Sequence, residues 1–336
     1  MTTSTQYAFN NTTPSLFVIV SPFQAICLVG AICNLGLSDY KVIVIQTDRF
    51  SQVKNVLEKY NILFEIRYVG KFRWRMRWYR LTSLIRRHNK YKRMFLGDFR
   101  SITLLYFGLQ YASDGADIVY LDDGNATIPL FDDKRTTPPL GSDTKYAEMV
   151  CRLRRISFMK YFYSIYENLP NPKYEIMHNS LSILNTSRND DQNKMVYIIG
   201  TNTKLYCESN NVSEDTIISV LSSTIDNIRQ LYRESEIVYI PHGKDNSLAL
   251  FQFCKSNSIE YKKLSVPVEL FFTDECQPNA IYGFLSSALY NLKQMYPNTD
   301  VYNIYLPPKA GDSLARKKSI SEYYKKCGII QLEFEA

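Results

Sequence analysis

This chain is poor in the residues from which metal sites and disulfide frameworks are built. Its 336 residues include three His and seven Cys, and the Cys (27, 33, 151, 207, 254, 276 and 327) form no CxxC pair. That spacing gives neither a zinc site nor a disulfide scaffold, and it fits reduced thiols in a cytoplasmic protein. Long hydrophobic runs are missing too. The most apolar stretch, 16–33, is interrupted by Ser21, Pro22 and Gln24, and residues 10–14 before it carry no basic side chain. It reads as neither a signal peptide nor a membrane span. There is no internal repeat and no low-complexity tract. The net charge, 40 − 33 = +7, falls short of that of a nucleic-acid coat protein. What the chain does have is apolar material: 45% hydrophobic residues, with 26 Tyr and 18 Phe, enough for two cores of ordinary domain size.

Short runs rich in β-branched and aromatic residues, at 16–20, 41–46, 64–69, 93–97 and 118–121, alternate with helix-like stretches at 24–35, 51–60 and before Lys90. Continuous apolar strands alternating with helices predict a parallel sheet covered on both faces. The composition turns polar and Pro-containing over 129–143, which reads as a loop, and 185–193 (NTSRNDDQN) reads as a linker. Beyond it the pattern begins again, with strands at 195–200, 236–240, 261–264 and 280–284. Helices are expected at 213–234 (Ser213 as N-cap), 248–256 and 286–295. The doubling predicts an α/β fold of two Rossmann-like domains, 1–185 and 194–336, whose parallel sheets face a central cleft. The last residues are expected to pack back on the first domain.

Three clusters fall at the carboxyl ends of these strands, where the loops of an open α/β sheet meet in a ligand crevice. In Tyr120-Leu121-Asp122-Asp123-Gly124, a carboxylate can act as general base on a hydroxyl, and Gly124 lets the chain turn sharply beside it. Asp-Gly also favours a plain strand-ending turn. Residues 239–245 (YIPHGKD) set His242 and Lys244 after a strand, and both can present N–H to a developing phosphate charge. A solvent-facing loop His is the plain alternative. Gly283-Phe284-Leu285-Ser286-Ser287 puts two hydroxyls at a helix start, where free N–H groups and the helix dipole suit a phosphate. An N-cap pair with no ligand is the plain alternative. Gly200 and Thr201 end the first strand of the second half.

With Ser21-Pro22-Phe23-Gln24 after the first strand, these motifs in their order resemble the bacterial sialyltransferases of glycosyltransferase family 52, over about residues 15–310. GFLSSALYNL (283–292) is the most specific match and Asp122-Asp123-Gly124 the least. The family's His-Pro pair stands here as His242-Gly243. The resemblance implies a GT-B fold and transfer of sialic acid, or a related nonulosonic acid, from its CMP donor with inversion. The acceptor is then a hydroxyl of a bacterial surface glycan, as in lipopolysaccharide and capsule biosynthesis. Asp122 or Asp123 would be the base, His242 would donate to the leaving CMP phosphate, and Ser286 and Ser287 would hold it. Gly200, Thr201, Lys244 and Gly283 would surround the nucleotide, and Glu269 resembles the family's ribose-binding carboxylate. Ser21, Pro22, Gln24 and Gly124 would lie on the acceptor side. No cofactor and no metal are expected, because the donor carries one phosphate and His242, Lys244 and a helix start supply its positive potential. Asp132-Asp133 is a second acidic pair that a metal could use.

Two other readings compete. One is a family-related hexosyltransferase using a UDP-sugar. The other is a basic peripheral membrane or nucleic-acid binding protein without catalysis, drawn from residues 71–100. That segment holds eleven basic residues, with Lys71 and Arg100 at its ends, against Asp98 alone, and both Trp74 and Trp78. If 73–85 is helical, Arg73, Arg77, Arg80 and Leu84 share a face, which suits an anionic bilayer and a lipid-linked acceptor. Nucleic acid is not the expected partner, since no nucleic-acid motif is present. The expected location is the cytoplasm, against the inner face of its membrane, with a homo-oligomer left open.

Overall fold

The computed structural model describes residues 11–68, 90–131, 144–167, 173–184, 194–274, 277–307 and 312–334. The chain divides into two units, Met1–Ile183 and Leu184–Ala336, and each is built on one fully parallel sheet. In the first unit the strands are β1 (Ser15–Ile19), β2 (Tyr40–Ile45), β3 (Glu65–Arg67), β4 (Tyr91–Leu96), β5 (Ala112–Leu121), β6 (Ser157–Ser164) and β7 (Glu175–His178). They lie in the order β3-β2-β1-β4-β5-β6-β7. Helices α1 (Pro22–Asn34), α2 (Phe50–Lys59), α3 (Ile102–Leu109), α4 (Thr127–Phe131) and α5 (Thr144–Leu153) connect them. Central β1 is SLFVI with every residue buried, as a strand covered on both faces requires. Its Phe17 stacks on Phe95 of β4 at 4.2 Å between ring centroids.

The second unit carries β8 (Met195–Ile199), β9 (Glu236–Ile240), β10 (Glu260–Tyr261), β11 (Ala280–Gly283), β12 (Asp300–Tyr305) and β13 (Ile330–Glu333) in the order β10-β9-β8-β11-β12-β13. Its helices are α6 (Thr203–Asn210), α7 (Glu214–Leu231), α8 (Leu248–Ser256), α9 (Val268–Phe271), α10 (Ser287–Met295) and α11 (Asp312–Lys326). Ser213 caps α7 by accepting from Thr216 N at 3.1 Å. Both sheets start in the middle, run outward, return and run the other way. This leaves a switch in winding direction between β1 and β4 and between β8 and β11, the places where doubly wound sheets bind ligands.

Two expectations need correction. Residues 129–131 complete α4 rather than open a loop, because Pro129, Leu130 and Phe131 are buried. The strands β6, β7, β12 and β13 were not foreseen. β12 is disguised by Asn303, which is wholly buried in mid-strand, and β6 begins half-exposed with Lys160 in it. Near the chain end, β13 pairs with β12 and extends the second sheet. The 185–193 linker, Asp132-Asp133 and residues 71–89 of the basic segment lie outside the described residues. Among the described residues no helix is long and apolar enough to cross a membrane.

Candidate active site

In the first unit the site begins where β1 gives way to α1. Ser21 is extended, and its Oγ accepts from Gln24 N at 3.3 Å. The Gln24 side chain reaches back, its Oε1 accepting from Ser21 N at 3.2 Å and from Val20 N at 2.8 Å. This reciprocal cap satisfies donors that a helix start would otherwise leave bare. Gln24 Nε2 then donates to Asp123 Oδ1 at 2.9 Å. Gly97, after β4, makes this fit. A Cβ there would lie 2.1 Å from Gln24 Oε1, closer than any side chain allows. From the next residues, Asp98 Oδ1 accepts from Arg100 N at 2.9 Å and from Arg100 Nε at 3.1 Å. Arg100 Nη2 donates to Asp123 Oδ2. Asp123 is thus held from both sides of the β1/β4 switch.

The Asp-Asp pair does not act as a unit. Asp122 is 1% exposed and turned inward, accepting from Ser164 Oγ at 3.0 Å and from Ile165 N at 2.6 Å. Burial pushes its carboxyl up to about 7, against the pull of those hydrogen bonds. The side chain of Asp123 is 21% exposed. Burial and then the Asp98 carboxylate raise it above the usual carboxylate range, opposed by Arg100 and Gln24. Gly124 follows at φ +60, the left-handed turn that favours glycine, and Tyr166 Oη donates to Asn125 Oδ1 at 3.2 Å beyond it. Ser21 is half-buried and Pro22 and Gln24 are buried, so Gln24 stands behind Asp123 instead of facing an acceptor. Gly97, Asp98 and Arg100 were missed as site residues. The carboxyl-end rule that picked out Asp122 and Asp123 applies equally to the end of β4 and would have found them.

In the second unit the expected nucleotide residues gather around the end of β8. Gly200 N donates to Ile240 O at 2.8 Å, joining the ends of β8 and β9. A Cβ on Gly200 would meet Tyr239 Oη at 2.5 Å, and one on Gly283 would meet Ile199 O at 3.0 Å, so both glycines permit close strand packing. Half-buried Thr201 follows Gly200. After β9, Lys244 N donates to His242 Nδ1 at 3.2 Å, and His242 is half-buried. Asp245 is buried and accepts from Thr203 N and Thr203 Oγ1, both at 3.1 Å, which ties this loop to α6. Lys244 borders a recess of about 550 Å³ among the starts of α6, α7 and α8.

On the other side of β8, Leu285 takes φ +45 and its N–H donates to Asn303 Oδ1 at 2.8 Å. Ser286 caps α10, accepting from Ala288 N at 3.3 Å, and half-buried Ser287 is its first residue. Glu269 on α9 is buried, its Oε1 accepting from Asn291 Nδ2 of α10 at 2.7 Å. Each unit therefore brings its own expected residues together at one carboxyl edge, with Pro22, Gln24, Asp122 and Glu269 facing inward. The first edge can take up a proton; the second offers N–H and hydroxyl donors to an anion.

No family model and no curated protein matches the chain. Solved structures do. The S. aureus MnaA–UDP co-structure aligns with a TM-score of 0.55 at 11% identity, covering 88% of this chain and 80% of that one. A 2,6-sialyltransferase from a Vibrionaceae Photobacterium, in ternary complex with the donor product CMP and the acceptor lactose, aligns at 0.55 and 11%, covering 95% and 78%. A sialyltransferase from Photobacterium damsela aligns at 0.50 and 10%, covering 96% and 81%. Likeness at such low identity speaks to the fold: this chain has the α/β GT-B-like architecture, two parallel sheets with alternating helices, found in those structures and in a UDP-N-acetylglucosamine 2-epimerase that aligns at 0.52 and 12%.

Proposed function

We propose that the chain is an inverting glycosyltransferase that moves sialic acid, or a related nonulosonic acid, from its CMP donor to a hydroxyl of a bacterial surface glycan. The observation that carries this reading is Asp123: a partly open carboxylate beside the β1/β4 switch, fixed by Gln24 and Arg100 and raised toward a useful basicity by burial and Asp98. In the proposed step Asp123 takes the proton as the acceptor oxygen attacks the anomeric carbon of the donor. The bond from that carbon to the phosphate oxygen breaks, and its electron pair leaves on CMP. A single displacement inverts the centre. His242, Lys244, Ser286, Ser287 and the positive end of the α10 dipole are suited to the charge growing on the phosphate. Asp122, walled in by Ser164 and Ile165, supports the turn and is not the base. With one phosphate to neutralise, the reaction needs no metal, and activity should persist in excess EDTA; complete loss restored by Mn²⁺ would count against this.

Structures of this fold contain UDP in one case and CMP in another, so nucleotide preference is the deciding measurement. CMP should raise the melting temperature more than UMP, GMP or UDP, by mass action on the native state. A larger rise with UDP would replace the sialyltransferase reading with a UDP-sugar enzyme. We further propose a lipid-linked acceptor met at the membrane through residues 71–90 of the basic segment, since residues 91–96 form the largely buried β4 and Arg93 is buried within it. Changing Arg73, Arg77 and Arg80 to Glu should then weaken binding to anionic vesicles and slow transfer to lipid-linked acceptor, while transfer to a short soluble acceptor holds. Equal loss on both acceptors removes the membrane role.

A further inference from the structure

We propose that Gln24 is a positioning residue for Asp123: the start of α1 fixes its carboxamide so that only an N–H can face the carboxylate, pinning Oδ1 and leaving Oδ2 to receive the proton. This rests on the reading of Asp123 as the base. The N–H groups of Val20 and Ser21 both need an acceptor, and Gln24 Oε1 serves them at 2.8 and 3.2 Å. Turning the amide over would set its NH₂ against two N–H groups and its oxygen against a carboxylate oxygen 2.9 Å away. Each bond lost in that way leaves a buried polar group unsatisfied, and the present orientation satisfies every group named. Gln24 is 0% exposed, so water does not compete for it, and the Gly97 backbone closes the space behind its oxygen.

The other hold on Asp123 is different in kind. Asp98 and Arg100 face it from the loop after β4, and Asp122 adjoins it on its own strand end. The Arg100 side chain is 38% exposed and is shared with Asp98. It can swing into solvent, on Asp98, when a hydroxyl approaches Oδ2. The buried amide cannot. Gln24 therefore stabilises the ionised carboxylate and aims it, while Arg100 guards the oxygen that reacts. At that oxygen the O–H bond of the acceptor breaks, and the proton passes to Oδ2.

The test uses Gln24→Glu. Glutamate keeps an acceptor for Val20 N and Ser21 N, as capping boxes commonly do, but turns a second carboxylate on Asp123. In carboxyl ¹³C NMR, with Asp123→Asn to assign the signal, Asp123 should ionise about one pH unit higher or more. The acidic limb of kcat/KM for transfer should move with it. In the wild-type protein, the Gln24 side-chain amide signals should titrate together with Asp123 and cease to do so in Asp123→Asn, a readout that stands even if the Glu variant fails to fold. An Asp123 carboxyl that ionises at the same pH in both proteins, with a Gln24 amide indifferent to pH, overturns the role of Gln24 alone. A shifted carboxyl with an unmoved acidic limb overturns the reading of Asp123 as base, and the positioning role with it.

Discussion

The two sheets share a strand order and differ in what they do with their acids. At the β1/β4 switch, Asp123 is presented: donors from α1 and from the loop after β4 hold it, and part of it stays open. At the carboxyl edge of the second sheet the acids are withdrawn. Asp245 is spent on Thr203 at the start of α6, and Glu269 on Asn291 in the middle of α10. What stands at that edge is the His242 imidazole, Lys244, the Ser286 and Ser287 hydroxyls and the start of α10. In the proposed reading, one scaffold thus yields a proton acceptor or an anion cradle, according to whether the carboxylate faces the turn or the core.

The largest effect that should follow is confined to the first unit. Asp123→Asn should lower transfer by about two to four powers of ten, while CMP raises the melting temperature as in the wild type. Loss of the CMP effect as well would erase the division of labour. Next, His242→Ala should reduce turnover by roughly 10², the scale of one lost donor to a developing oxyanion; full activity in single-turnover assays would remove His242 from the second edge. Replacing Ser286 and Ser287 together by Ala should abolish most of the CMP-induced rise in melting temperature. Losing the Ser286 cap itself costs about 1 kcal/mol, so the comparison is with and without CMP in the same variant. Undiminished protection by CMP would place the phosphate elsewhere.

The smallest effect concerns the withdrawn acid of the first unit. The carboxyl of Asp122, at about 7 when folded, lies above its unfolded value of about 3.9. Its stabilising contribution is therefore full below about pH 4 and is lost as pH rises toward 7, by roughly 1.4 kcal/mol per pH unit. Asp122→Asn mimics the protonated form, so urea melts should show the variant gaining on the wild type across that window and holding level above it. Transfer should suffer far less than in Asp123→Asn. A constant gap at all pH values would mean that Asp122 is ionised in the fold.

Much of this contrast was legible in the sequence, because continuous apolar strands, an Asp-Gly turn and a Ser pair at a helix start are local signals. Ser213, Ser247 and Ser286 all cap the helices that follow them. What was not legible depends on distant packing. Nothing local separates Asp122 from Asp123; the difference comes from Ser164 and Ile165, some forty residues on. Gln24 was expected on the acceptor side from its place after the first strand, but its bond to Asp123, ninety-nine residues away in the chain, has no local signal. Asn303 hid a strand for the same reason: its partners, Leu285 N and Gln331 Oε1, belong to other elements.

That last asparagine matters for engineering. Leu285 is held in a left-handed conformation that a leucine adopts only at a cost of about 1 kcal/mol or more, and the clasp that keeps it there is anchored in turn by Gln331 on the outermost strand. Position 331 is thus a handle on the α10 turn that lies outside it. Libraries that vary Gln331 and Asn303 together would retune the pitch at which Ser286 and Ser287 are offered, without altering a single group meant to touch the donor.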